Sequence, residues 1–161
     1  MEYHDVVLKI EDLLKRNDLW YERFEHEAVR TSEEAAAVRD NYTLSEGAKA
    51  LVVRTKKNGE KQFAMIVVPG DRKFDTKKAR RVLNAKDLRF ATEEEVERLT
   101  DGVQPGGVPP FGNLFSIPVY VDAHVFDNEK IIFNAGDKRV SIGMYSRDYK
   151  TLVNPIVDEL S

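Results

Sequence analysis

The chain has 161 residues, of which 42% are hydrophobic and 33% are charged, and its formal net charge at pH 7 is −3. This balance is typical of one globular domain, and no apolar run approaches the roughly 18 residues that a membrane-spanning helix needs. The N-terminal segment lacks the basic start and apolar stretch of a secretory signal, so we expect a cytoplasmic protein with no membrane partner.

The residues that usually bind metal are scarce. The chain has no cysteine, which excludes disulfides, thiolate catalysis and a cysteine-based zinc site. His4, His26 and His124 are far apart and form no HxxxH or HExxH pair, so we expect neither a metal nor a cofactor. The negative net charge argues against extensive contact with a nucleic-acid duplex but allows a local basic patch that meets one end of an RNA.

Hydrophobic periodicity and turn residues predict the elements of the first half. Asp5 can cap a first helix, and Thr31 with Glu34 forms a capping box for a second. Asn58-Gly59 predicts a tight hairpin turn between two buried strands. In chain order, the pattern predicts a helix over 5–16, a strand over 20–24, a helix over 32–38, and strands over 48–55 and 63–68.

The second half mixes helices and strands in the same way. Asp75 begins a basic helix through Leu83; its charges could contact an RNA backbone, but a solvated helix face is the favoured interpretation. Thr92 and Glu95 form another capping box for a helix that ends near Gly102. The remaining pattern predicts strands over 117–121, 130–135 and 139–144 and a helix over 146–153. The mixed order predicts a single α+β domain.

The segment 102–112 contains four glycines and three prolines, so it cannot form regular structure. Exposed backbone N–H groups in such a loop can bind an oxyanion or a carbonyl, and the missing side chains let a substrate approach closely. Long ordered loops are often functional, which favours such a role. The alternative is a constrained connector between a helix and a strand.

Three further side chains are candidates for chemistry. Lys49 lies at the mouth of a buried strand, where it can face a cleft and contact a phosphate or a developing negative charge. The alternative is a solvated lysine at a strand end. His26 and His124 can act as acid or base, or can equally be hydrogen-bonded structural residues.

Seven segments, taken in order, resemble the YbaK/aminoacyl-tRNA deacylase family of prolyl-tRNA-synthetase-associated editing domains. The resemblance covers residues 20–150, and it rests on the order and spacing of the segments together. The segments are SEEAA (32–36), AKALVV (48–53), VVPGD (67–71), ATEEEV (91–96), GVPPFG (107–112), IPVYVD (117–122) and IFNAG (132–136).

The resemblance implies one editing domain over 1–161, with a mixed, barrel-like β-sheet surrounded by helices. It also implies a metal-independent hydrolase that cleaves the ester between a wrong amino acid and the 3′-terminal adenosine of a transfer RNA, most often the one for proline. The partners implied are the acceptor end of a mischarged transfer RNA and prolyl-tRNA synthetase.

The resemblance also assigns residues. Lys49 would hold the terminal nucleotide and the substrate, and Gly107 would act with it in catalysis. The GxxPxG turn maps onto Gly107, Pro110 and Gly112, and its backbone would position the ester carbonyl. The residues expected to bind substrate are Val108, Pro109, Pro110, Phe111, Gly112, Gly136, Asp137 and His26.

The identity of the removed amino acid stays open at the level of sequence. Members selective for alanine often carry asparagine directly after the lysine, and here that residue is Ala50. Alanyl, cysteinyl, seryl and threonyl esters are all candidates. Two other activities compete with transfer-RNA editing: a non-catalytic module that binds the aminoacyl end or a synthetase, and a hydrolase of small aminoacyl esters without RNA.

Overall fold

The computed structural model describes residues 2–28, 31–39 and 41–161. Every helix and strand predicted from the sequence forms, and two short strands that were not predicted, Asp87–Phe90 and Ile156–Asp158, form in addition. In chain order they are α1 (Asp5–Arg16), β1 (Tyr21–Glu25), α2 (Ser32–Val38), β2 (Ala48–Lys57), β3 (Glu60–Pro69), α3 (Thr76–Val82), β4 (Asp87–Phe90), α4 (Glu93–Leu99), β5 (Val119–Asp122), β6 (Lys130–Asp137), β7 (Val140–Tyr145), α5 (Ser146–Val153) and β8 (Ile156–Asp158).

The strands form two sheets. The larger sheet has the order β4-β2-β3-β5-β8, with antiparallel pairing around the β2–β3 hairpin and parallel pairing of β5 with β3 and β8. The smaller sheet, β1-β7-β6, is antiparallel. The predicted Asn58-Gly59 turn is confirmed, because both residues take positive φ values of 51° and 80°.

The expected α+β fold class is confirmed, whereas a closed barrel is not found in the described part of the chain. The two sheets meet at an isolated parallel bridge between Gly47 and Ile132. Strand β4 pairs only with residues 53–56 of β2, so it leaves the first residues of β2 without a strand on that side. This gap in the pairing is where the candidate site lies.

The core is divided into two clusters. The larger packs α1 and the inner faces of both sheets together, and the smaller packs α3 against the other face of the β2–β3 hairpin. Helix α1 lies close to β6 at Gly136, where an added Cβ would lie 2.8 Å from Val6 Cγ1. Gly136 also has a φ of 109°, so both the packing and the backbone require glycine there.

The predicted helix caps are confirmed with one exception. Thr31 accepts a hydrogen bond from the Glu34 amide, and the Thr92–Glu95 capping box forms in both directions. Asp5 is not the cap of α1: it lies in the first turn, and His4 precedes it as the N-cap, with Nδ1 accepting from the Val6 amide at 3.1 Å. Among the described residues, no helix combines the length and hydrophobicity needed to cross a membrane.

Candidate active site

A cleft of about 440 Å³ opens between the start of β2 in one sheet and β6 in the other. Gly47 and the first residues of β2, up to Leu51, form one wall, and Pro105, Gly106 and Val108 of the Gly/Pro loop form another. Asn134 of β6 and Arg39, directly after α2, complete the interior. The cleft therefore joins segments that are far apart in sequence.

Lys49 lines this cleft from the part of β2 that β4 does not cover. Its side chain is exposed, and no described carboxylate oxygen lies within 4 Å of its ammonium group. An unpaired ammonium in a concave site can attract a phosphate or stabilise charge that develops on a reacting carbonyl.

The Gly/Pro loop is built around a 3₁₀ turn at Pro105–Gly107. The Gly107 amide donates to the Gln104 carbonyl at 2.8 Å, and the Val108 amide donates to the Pro105 carbonyl at 3.4 Å. Both amides therefore have acceptors inside the loop. The loop itself is fixed to β6, because Asn134 Nδ2 donates to the Gly106 carbonyl at 2.7 Å.

The structure separates the expected loop residues into two groups. Val108 is largely buried but lines the cleft, whereas Pro109, Pro110, Phe111 and Gly112 are buried and are not among the described residues that line it. Phe111 packs edge-on against Phe133 and Tyr149, and the Pro110 carbonyl accepts a hydrogen bond from the Tyr149 hydroxyl at 2.6 Å. These contacts anchor the loop in the core behind the cleft.

Gly136 and Asp137 lie on the other side of the loop. With Gly107 they line a second hollow of about 300 Å³, which shares Lys138 with the main cleft. The Asp137 carboxylate accepts three hydrogen bonds from Arg139, from Nε and the backbone amide at 2.9 Å each and from Nη2 at 2.8 Å, and these bonds lower the pKa of its carboxyl group. Its carboxylate is therefore already occupied by a partner.

His26 reaches the cleft through a chain of side-chain hydrogen bonds. Its Nε2 is 2.8 Å from Ser141 Oγ, which also accepts from Arg39 Nε at 2.9 Å. Arg39 Nη2 in turn donates to Asn134 Oδ1 at 3.0 Å, and Asn134 holds the loop carbonyl. Burial lowers the pKa of Arg39 to about 10, so the side chain remains charged at neutral pH.

His124 lies outside the cleft and is hydrogen-bonded to a buried aspartate. Its Nδ1 is 2.8 Å from Asp122 Oδ1, and Asp122 is fully buried at the end of β5. Asp122 also accepts from the Leu160 amide at 3.2 Å. His124 is not among the described residues that line the cleft.

Three cleft residues, Arg39, Asn134 and Lys138, were not predicted as site residues. Asn134 lies within the IFNAG segment that carried the resemblance, so that segment was the available signal. Arg39 and Lys138 belong to no sequence pattern that distinguishes them from the other arginines and lysines of the chain. In the part of the chain that the structure describes, no group of three or more His, Cys, Asp or Glu side chains could hold a metal.

Comparisons with known proteins agree with this architecture. A family model for the aminoacyl-tRNA editing domain matches residues 26–152. The multifunctional Ser/Thr-tRNA deacylase ProXp-y of Escherichia coli is 30% identical over 131 residues, which cover 81% of this chain and 77% of that protein. The proline–tRNA ligase of Sulfurihydrogenibium sp. is 32% identical over 98 residues, or 61% of this chain and 16% of that enzyme.

A solved structure extends the similarity to the whole described fold. It is described as a candidate trans-editing enzyme for prolyl-tRNA synthetase, has a TM-score of 0.83 and a sequence identity of 26%, and is matched over 99% of both chains. The fold and its cleft thus define an editing enzyme of the aminoacyl-tRNA deacylase class. The chain belongs to the aminoacyl-tRNA editing domain family.

Proposed function

We propose that this chain, as one editing domain over 1–161, hydrolyses the ester of transfer RNA for proline that carries a small wrong amino acid, acting at the acceptor end. Seryl and threonyl esters are the first candidates, because the E. coli relative is named as a Ser/Thr-tRNA deacylase. Alanyl and cysteinyl esters are the alternatives. Prolyl-tRNA synthetase is the proposed partner, supported by the similarity to proline–tRNA ligases.

The charge of the cleft carries this proposal. Lys49, Arg39 and Lys138 all line it, and its described lining residues include neither aspartate nor glutamate. The chain as a whole has a net charge of −3, so this local excess of positive charge opposes the overall balance. A small cationic cleft suits the end of an RNA strand, where only a few phosphates need to be contacted.

The proposed reaction is an addition of water to the ester carbonyl. The water oxygen bonds to the carbonyl carbon, the bond from that carbon to the ribose oxygen breaks, and the ribose oxygen takes up the proton that the water loses, which regenerates the ribose hydroxyl as the amino acid leaves. We assign Lys49 to hold the terminal nucleotide beside the reacting ester, where its charge also favours the oxyanion. The Gly/Pro loop supplies part of the wall of the cleft at Gly106 and Val108.

The roles of the other expected residues follow from their positions. Gly107 is proposed to shape the loop between the two hollows, and residues 109–112 to hold that loop from the core. Gly136 and Asp137 are proposed to border the substrate region from behind the loop. His26 is proposed to act through Ser141 by fixing Arg39 at the cleft.

The test is a panel of alanyl-, cysteinyl-, seryl- and threonyl-charged transfer RNA for proline, measured with the wild type, Lys49→Ala and Lys61→Ala. Lys61 is an exposed lysine at the far end of the β2–β3 hairpin and serves as the matched control. We expect Lys49→Ala to lower kcat/KM by about 100-fold and Lys61→Ala to have no effect. Equal rates for the two variants would reject the role of Lys49, and binding without hydrolysis of any ester would favour a non-catalytic module.

A further inference from the structure

Arg39 is a buried cation with no acidic partner among the residues that the structure describes. The residue is only 7% exposed, and its Nε and Nη2 donate to two neutral acceptors, Ser141 and Asn134. Across residues 2–28, 31–39 and 41–161, no carboxylate oxygen lies within 4 Å of its guanidinium.

Such a charge is costly to keep. Burial of an ionised group is unfavourable unless a counter-charge compensates it, and buried arginines are usually paired with acidic groups. A neutral glutamine could make hydrogen bonds to Ser141 and Asn134 without this cost. The positive charge of Arg39 is therefore not explained by the contacts that hold the side chain in place.

The remaining guanidinium nitrogen of Arg39, Nη1, indicates where a partner for the charge would bind. A Cβ added at Gly47 would lie 3.8 Å from Arg39 Nη1, so Nη1 lies beside the wall of the cleft that leads to Lys49. The structure shows no hydrogen-bond acceptor for Nη1 among the described side chains and backbone groups. The donors of Nη1 are therefore available to a ligand in the cleft.

Lys138 adds a second cation on the loop side of the same cleft. Its side chain lies across Gly106, where an added Cβ would be 2.6 Å from Cε and 3.3 Å from Nζ. The glycine thus leaves room for the lysine stem. No described acidic side chain forms an ion pair with this ammonium.

The chemical groups of an aminoacyl RNA indicate which anion could bind to Arg39. The aminoacyl group carries an α-ammonium and no negative charge, so it would be repelled by a guanidinium. The anions near the ester are the phosphodiester groups of the terminal nucleotides. Arginine is well suited to bind them, because its N–H groups match the spacing of phosphate oxygens.

We propose that Arg39, through Nη1, and Lys138 bind a phosphodiester of the RNA 3′ end and position the terminal nucleotide for hydrolysis beside Lys49. This assignment rests on the proposed deacylase function and makes Arg39 a specificity residue for charged RNA over simple aminoacyl esters. Ser141 and Asn134 then serve to orient the guanidinium.

The experiment compares two substrates that differ in phosphate. One is a seryl-charged RNA minihelix, and the other is 3′-O-seryl adenosine, which carries the same ester without phosphate. Arg39→Gln removes the charge, Arg39→Lys restores it in part, and Arg16→Gln changes an exposed arginine of α1 as the control. Thermal unfolding of each variant checks that it is folded.

We expect Arg39→Gln to raise KM for the minihelix by about 10- to 100-fold with little change in kcat, and to leave kcat/KM for seryl adenosine unchanged. The slope of log KM against log salt for the minihelix should fall by about 0.7. Arg39→Lys should recover part of the lost affinity. Lys138→Gln should likewise raise KM for the minihelix and leave kcat/KM for seryl adenosine unchanged. If Arg39→Gln does not fold, the kinetics of Lys138→Gln test the proposed phosphate site.

Equal losses of kcat on both substrates would overturn the proposal and place Arg39 at the ester. Wild-type kinetics of Arg39→Gln on both substrates would reduce Arg39 to a structural residue. Failure of the wild type to hydrolyse any of the alanyl-, cysteinyl-, seryl- and threonyl-charged RNAs would instead reject the deacylase function on which the assignment depends.

Discussion

The hydrogen bond between Tyr149 and Pro110 offers the sharpest test of how the Gly/Pro loop is held. The Tyr149 hydroxyl donates to the Pro110 carbonyl at 2.6 Å, and Tyr149 is fully buried on α5. Tyr149→Phe keeps the ring that packs edge-on against Phe111 but leaves a buried carbonyl without a donor. Such a group typically costs about 1–3 kcal/mol.

We therefore expect Tyr149→Phe to lower the free energy of unfolding by about 2 kcal/mol, which corresponds to about 6 °C in the unfolding temperature of a chain of this size. Urea titration and thermal melting measure both quantities. Tyr120→Phe is the matched control, because Tyr120 is half-buried and its hydroxyl has no hydrogen bond to the described residues. A Tyr149→Phe protein as stable as the wild type would refute the idea that this bond anchors the loop.

Two further substitutions test the packing and the pH dependence of the fold. An added Cβ at Gly112 would lie 2.6 Å from Val119 Cγ2 and 2.7 Å from the Ile117 carbonyl oxygen, so Gly112→Ala should cost about 1–3 kcal/mol in urea unfolding. A hydrogen bond from Arg89 contributes most to lowering the pKa of Glu95 from its ordinary 4.5 to about 2. The stability that ionised Glu95 contributes should thus be complete above pH 4.5 and lost as the pH falls toward about 2. The free energy of unfolding of Glu95→Gln should accordingly be lower than that of the wild type at pH 7, and the two values should converge near pH 2. A difference in the free energy of unfolding that does not depend on pH would contradict this linkage.

The elements that the sequence predicts are those whose signals are local. The Thr92–Glu95 capping box and the Asn58-Gly59 turn depend on residues three or fewer positions apart, and both are confirmed. The short strands β4 and β8 were not predicted, because each has few residues and gains its pairing from strands distant in sequence. The division into two sheets is non-local for the same reason.

The candidate site shows the same limit. Lys49 and the Gly/Pro loop stand out in the sequence, the first by its place at a strand mouth and the second by composition, and the structure brings both to one cleft. Nothing local distinguishes Arg39 from other arginines at helix ends. Its burial arises from contacts with Ser141 and Asn134, about a hundred residues later in the chain.

The proposed selectivity for RNA ends depends on how charge is distributed over the fold. A net charge of −3 disfavours non-specific attraction to the backbone of long nucleic acids, since that attraction grows with the number of phosphates contacted. On the proposed function, the three cations that line the cleft, Lys49, Arg39 and Lys138, attract RNA only where a strand end can enter. A double-helical segment of RNA is too wide to enter a cleft of about 440 Å³. A single terminal nucleotide with its aminoacyl ester is of suitable size. Shape and charge therefore act together, and neither alone would select a charged acceptor end over the rest of an RNA.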